Sequence, residues 1–298
     1  MKISMGAWSF TFGPHAATPK LLDQICERLA KAGYEGIELC GFTPHVTLEA
    51  YPGAVERAQL RRMLSGYGLG ISSYSAGLTP VNPLVRENRE RYLERFRRLL
   101  DLCADIGSPS IRIDTVAAPG SLSESEYHLA FHHLADLWRE CAELGRQAQV
   151  TLVWEFEPGF VFNKPSEVVA LHDQVGHPWF QLVFDTAHAY LCSVVAARQH
   201  GRKETLPGGI NEFLDLLQGR IGSVHVVDTD GSLYSDETST HRPFHAGIIP
   251  WRAVMPKLLA VCPLDWWCVD LSFYPEAWDS VESSLADLKK LIADAGRG

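Results

Sequence analysis

Short apolar runs rich in β-branched and aromatic residues alternate with longer amphipathic segments along the whole chain, and no other feature constrains the fold as strongly. The strand-like runs fall at Ile3–Phe10, Gly36–Cys40, Gly70–Tyr74, Ser110–Asp114, Val150–Phe156, Phe180–Phe184, Ile221–Val227 and Trp266–Leu271. Parallel strands need a crossover of a dozen residues or more, usually a helix, so this rhythm points to a parallel sheet of repeated strand–helix units. The intervening segments carry helical stripes. In the first, Thr18 is expected to cap the helix with Pro19 leading it, Leu21, Leu22, Ile25 and Leu29 form the buried face, and Gly33 ends it. In the fourth the stripe is Tyr127, Phe131, Leu134, Trp138, Cys141 and Leu144. An open doubly wound sheet would favour a glycine-rich phosphate turn after its first strand, and Trp8-Ser9-Phe10-Thr11-Phe12-Gly13 has no such pattern. The expected fold is therefore α/β, a single (β/α)8 TIM barrel spanning residues 1–298. The connection from Leu191 to Gly209 is long for such a barrel and is expected to make an excursion near the site or an oligomer contact.

Composition removes several classes of function. A formal charge of −9 disfavours a nucleic-acid partner, whose non-specific affinity comes from cationic side chains on phosphates. The arginine-rich stretch Arg86–Arg98 keeps Tyr92, Phe96, Leu99 and Cys103 at helical spacing, so its charges are expected on the solvated face of an outer helix. Seven cysteines without a C-x-x-C pair fit reduced, buried thiols. No apolar run reaches the ~20 residues that cross a bilayer, and the first residues lack a secretory pattern, so a cytoplasmic protein without membrane association is expected.

Barrels of this kind assemble their sites from the C-terminal ends of strands. The last four runs all finish in ionisable groups: Glu155 and Glu157 at the end of the fifth, Asp185 and His188 after the sixth, His225 and Asp228 in and after the seventh, and Asp270 at the end of the eighth. A carboxylate at the end of a buried strand costs several kcal/mol to desolvate unless it is paired or bound to a metal, so three carboxylates and an imidazole at one mouth call for a cation. An oxygen-rich set with one imidazole suits Mn2+ or Mg2+, with Co2+ and Zn2+ admissible. Singly, each residue has a plainer reading: Asp185 or Asp270 as a helix or turn cap, His225 as a hydrogen-bonded core histidine. Glu155 and Glu157, two apart, share a face. His128 and His132, at i and i+4, lie off the fourth helix's stripe and are read as surface residues.

Asp185-Thr186-Ala187-His188, His225-Val226-Val227-Asp228, the run ending in Glu155, the segment Pro243–Trp251 and Gly33–Leu39 together resemble the xylose-isomerase-like sugar isomerases and epimerases, from the first strand to Trp278. The resemblance implies that Glu155, Asp185, His225 and Asp270 hold one divalent metal, Mn2+ favoured, and that His188 touches a substrate oxygen. It also implies a homo-oligomer. One position departs: the family's usual glutamate on strand eight is Asp270 here, shorter by one methylene.

The expected chemistry is proton transfer next to the carbonyl of a ketose or related polyol through an enediolate, giving epimerisation or isomerisation. Glu155 is the expected base, with Asp270 or Glu157 returning the proton. Arg112 is expected to donate to a substrate hydroxyl or to pair with Glu38, Trp8 and Trp154 to wall the pocket, and His241, Arg242 and His245 to supply a loop after strand seven, with His245 on the substrate. The rival readings are a dehydratase acting on a ketocyclitol or keto acid at the same site, an apurinic-site endonuclease, and a barrel that only binds a ligand.

Overall fold

The computed structural model describes residues 1–296. Eight parallel strands close into a barrel: β1 (Lys2–Gly6), β2 (Gly36–Cys40), β3 (Gly70–Ser75), β4 (Ser110–Ile113), β5 (Thr151–Glu155), β6 (Phe180–Asp185), β7 (Ile221–Val226) and, after a two-stranded ribbon, β10 (Trp266–Val269). β10 pairs with both β7 and β1, which closes the ring. The ribbon, β8 (Leu233–Tyr234) against β9 (Thr238–Ser239), rises from the loop after β7. The outer helices are α1 (Leu22–Ala32), α2 (Ala54–Gly66), α3 (Arg89–Ile106), α4 (Glu124–Ala148), α5 (Pro165–Val175), the short α6 (Thr186–Tyr190), α7 (Gly209–Leu216), α8 (Trp251–Val261) and α9 (Val281–Ala295).

Strand alternation sends one set of side chains to the helices and the other into the barrel. On β5 and β6 the outward set includes Trp154 and Phe180, both against Trp138 of α4, and Phe184 against Phe213 of α7. The inward set changes along the axis. At the floor stands the Trp266 ring, and a Cβ at Gly36 would lie 2.5 Å from it, one at Gly70 2.9 Å. Those two positions accept no side chain because the indole already fills the space.

Two boundaries differ from the sequence expectation. β1 stops at Gly6 and the chain turns through a 3-10 segment at Ala7–Phe10, folding the Trp8 ring back so that a Cβ on Gly6 would meet it at 2.5 Å. α1 begins at Leu22, with the Leu21 N–H donating to Gln24 Oε1 at 3.1 Å, and not at Thr18-Pro19. The residues before it are tethered elsewhere: the Thr18 N–H donates to the His15 carbonyl and the Lys20 N–H to that of Phe10. Gly33 ends the helix in the left-handed region as expected, at φ 89°. Arg86–Arg98 lies on and just before α3, whose buried face carries Tyr92, Phe96, Leu99 and Cys103. All seven cysteines are buried thiols. Among the described residues no helix is long and apolar enough to cross a membrane.

Candidate active site at the barrel mouth

The ends of β5, β6, β7 and β10 converge, and Glu155, Asp185 and Asp270 are each divided in function between their two oxygens. Glu155 Oε2 pairs with Arg112 Nη2 at 2.5 Å while its Oε1 faces His225. Asp185 Oδ1 accepts the His188 N–H at 2.8 Å, capping α6, and its Oδ2 is buried without a hydrogen-bond partner. Asp270 Oδ1 accepts from Trp8 Nε1 at 2.9 Å and from the Ser272 N–H at 2.8 Å, while Oδ2 lies 3.7 Å from His225 Nδ1. The plain reading as caps therefore holds for Asp185 and Asp270, but it occupies only one oxygen of each. Glu155 Oε1 and His225 Nδ1 sit 2.8 Å apart, yet neither finds an aligned hydrogen bond. One oxygen fixes each side chain and the other is spared that role, with Glu155 Oε1 and Asp270 Oδ2 both facing His225 Nδ1.

Buried polar atoms left unpaired are costly, and several together mark a place built for something positive. Burial alone would push the His225 imidazole toward neutrality, but Glu38 and Glu155 outweigh it and raise its pKa well above the ordinary range. His241 behaves alike: burial is outweighed by Asp270 and Asp185, and its pKa rises to about 9. Burial would also raise Glu155, yet Arg112 and His225 hold it down at about 2. The carboxylates thus favour positive charge at this place, which a cation would supply. Glu155, Asp185 and His225 each offer a ligand atom within 4.8 Å of the others, all from buried residues. The donor set fits a divalent cation, with Asp270 at its edge and Glu38 fixing the far nitrogen of His225 at 3.2 Å.

Above this cluster opens a cavity of about 480 Å³. Arg112, on β4, reaches its floor; besides Glu155 it binds Asp114 at 3.0 Å and donates to Ser75 Oγ at 3.0 Å. Burial lifts Asp114 to about 6 against the pull of Arg112, with Glu155 and Glu157 adding to the rise. Glu157 lines the same wall and accepts from Thr238 Oγ1 of the ribbon. His188 lines it too, its Nδ1 2.9 Å from Ser239 Oγ of β9. The ribbon thus braces two of the expected site residues.

The remaining expectations are redistributed. Trp8 does wall the cavity. Trp154 does not: it follows Val153 and precedes Glu155, so when the glutamate points in, the indole points out, where it packs on Trp138 and Phe156. His245 is exposed, at φ 68°, and lines a separate groove of about 980 Å³ beside α8 and α9. It is displaced because Asp228 pins its loop, accepting from the Thr229, His245 and Ile249 N–H groups and from Trp251 Nε1. Arg242 pairs with Asp230 at 2.8 Å. Arg112 is engaged by Glu155 and Asp114, and Glu38 pairs with His225 instead of Arg112. His128 and His132 lie on the outer α4, the first pairing with Glu124 and the second 2.6 Å from Gln174 Nε2. Two site residues were underrated by sequence reasoning. His241, a loop residue by sequence, is buried between Asp270, at 3.3 Å, and Asp185, at 4.0 Å. Glu38 carried a signal, an acid inside a buried strand, but nothing local named His225 as its partner. The long connection passes the mouth as expected, with Arg198 on the cavity rim.

Known proteins share this architecture. The chain is 25% identical over 236 residues to the L-ribulose-5-phosphate 3-epimerase UlaE of Shigella flexneri serotype 5b, covering 78% of this chain and 75% of that protein. Its fold matches a D-tagatose 3-epimerase-like protein with a TM-score of 0.74 at 17% identity, over 100% of this chain and 99% of the other. It also matches the IOLI protein, solved with a bound zinc atom, with a TM-score of 0.71 at 18% identity, over 99% and 98%. At such identities the structural likeness speaks for the fold alone. The model of the xylose isomerase-like TIM barrel family matches residues 26–269, and the chain belongs to that family.

Proposed function

We propose that the protein is a divalent-metal-dependent sugar epimerase that moves a proton on the carbon next to the carbonyl of a ketose or related polyol. The observation that carries the reading is the division of labour within Glu155, Asp185 and Asp270, one oxygen of each anchored and the other spared, beside ligand atoms of Glu155, Asp185 and His225 that lie within 4.8 Å of one another. The similarity to a sugar 3-epimerase over three quarters of both chains supports it.

Glu155, Asp185, His225 and Asp270 would hold the cation, with Mn2+ our choice for this oxygen-rich set. A bound divalent ion supplies Lewis acidity, stabilising the negative charge that grows on neighbouring substrate oxygens as the proton leaves. Epimerisation needs a base on one face of the reacting carbon and an acid on the other. Glu155 and Asp270 come from strands three steps apart around the eight-stranded ring and so flank the cavity from different walls. Glu155 takes the proton and Asp270 returns it. Glu157 lies beside Glu155 on the same wall, so a proton it returned would go to the same side, as isomerisation to the neighbouring carbon requires. Trp8 and Ser272 fix the shorter Asp270 side chain, which limits its reach to a substrate seated low in the mouth. His188, oriented by Ser239, donates to a substrate hydroxyl. Arg112 acts through Glu155, holding it ionised and in place.

Incubation with Mn2+ and a panel of ketoses in deuterated water tests the reading. Deuterium should enter at the carbon next to the carbonyl of at least one sugar, with an epimer appearing alongside. No exchange on any of them would sink it.

A further inference from the structure

Charge and shape at the mouth bear on which sugars can enter. Of the side chains lining the cavity, Asp114, Glu155, Glu157, Glu237 and Asp270 are carboxylates, against the guanidiniums of Arg112 and Arg198 and the imidazoles of His188 and His241. Glu155, Asp185 and Asp270 would be matched by a divalent cation together with His241, which sits between Asp185 and Asp270, leaving Asp114, Glu157 and Glu237 to face the two arginines. Both arginines are already engaged, Arg112 by Glu155 and Asp114, and Arg198 by the Glu237 carbonyl at 2.9 Å. Barrels that grip a phosphate commonly do so with the loops after strands seven and eight. Here the first of these loops spends its Arg242 on Asp230, through both Nε and Nη2. The second presents Ser272 and Phe273. Phe273 stacks on Tyr234 of the ribbon at 4.6 Å between centroids and on Phe12 at 6.5 Å, and Phe12 meets Phe42 edge-on at 5.5 Å. The far end of the cavity is thus an aromatic rim, a surface for the C–H faces of a sugar.

We infer that the substrate is a neutral, unphosphorylated sugar whose distal carbons rest on the Phe12–Phe42–Phe273 rim, and that the site rejects the corresponding sugar phosphate. This rests on the epimerase reading above and departs from the phosphorylated substrate named for the UlaE relative. A dianion brought within several ångströms of an uncompensated carboxylate in a partly buried cleft is disfavoured on the order of a hundredfold.

The test uses the full chain loaded with Mn2+ and matched pairs of ketoses, among them L-ribulose and L-ribulose 5-phosphate. Calorimetry reads binding, and deuterium incorporation reads proton transfer. The neutral member should bind tighter and exchange with a kcat/KM about a hundredfold higher. The Glu237→Arg variant, which reverses a charge at the exposed rim, should narrow that ratio about tenfold. A phosphate member that binds or reacts as well as its neutral partner overturns the inference, as does the absence of binding by every neutral sugar. Selective binding of a neutral sugar without exchange would instead remove the epimerase reading and leave the selectivity standing.

Discussion

The floor and the mouth of the barrel are built from the same inward-facing rows, two to four residues apart on β2 and β10, and they are solved in opposite ways. At the floor Trp266 fills the axis, with Gly36 and Gly70 giving up their side chains to it and Lys2 Nζ lying 5.2 Å from the ring centroid. Four residues further along the same chain, Asp270 stands with Glu155, Asp185, His225 and His241 around a centre where buried polar atoms lack partners. The floor is packed to satisfaction and contributes stability. The mouth carries buried charge that the packed floor must offset, which is how a stable scaffold retains a costly site.

Changes that break one end while sparing the other sharpen this contrast. The largest effect is expected from Asp185→Asn. The amide oxygen still accepts the His188 N–H, so the fold should survive with an unchanged melting temperature, but an NH2 group now faces the centre. Bound Mn2+, read by metal analysis, should be lost, and deuterium exchange should drop on the order of a thousandfold. An unaltered metal content would place the ion elsewhere. Glu38→Gln removes the negative partner of His225 without removing a contact. It should weaken Mn2+ affinity by roughly 10- to 100-fold in titration, with little change in circular dichroism. At the floor, Gly36→Ala sets a methyl 2.5 Å from the Trp266 ring and 2.7 Å from the Gly70 carbonyl. Chemical denaturation should show a loss of about 1–3 kcal/mol, with metal affinity of the folded fraction intact. Trp154→Phe should likewise lower stability, by about 1–2 kcal/mol, and leave KM unchanged because the indole packs outside the barrel. His245→Ala should alter neither kcat nor KM by more than about twofold, since the residue is exposed on another groove. A large rise in KM there would return it to the site.

How much of the site was legible turns on particular residues. Asp185, His225 and Asp270 stood out because each follows an apolar run, and strand ends meet at one mouth in any closed barrel. The misplacement of Trp154 was avoidable from the chain alone: Glu155 and its neighbour cannot both face inward when side chains alternate. His241 offered no such clue. It reaches the centre because the ribbon after β7 folds back across the mouth, with Thr238 on Glu157 and Ser239 on His188, and these partners lie 81 and 51 residues away in sequence. The Thr18-Pro19 start for α1 failed for a related reason, since Lys20 is held by Phe10 and its helix-starting signal was overruled by that tether.

By itself, then, the sequence determined what depends on short-range periodicity: the strand and helix order, the buried stripes, and the family of ionisable groups that end the last four strands. Hydrophobic burial acts on repeats a few residues long, so its imprint can be read locally. Only the tertiary structure decided which oxygen of each carboxylate is spent on a cap, that Arg112 serves Glu155, that Glu38 serves His225, and that His241 is buried among acids while His245 is not. Those choices arise from pairings between residues far apart in the chain, where the free energy of desolvating one charge is set by a partner whose position no local pattern encodes.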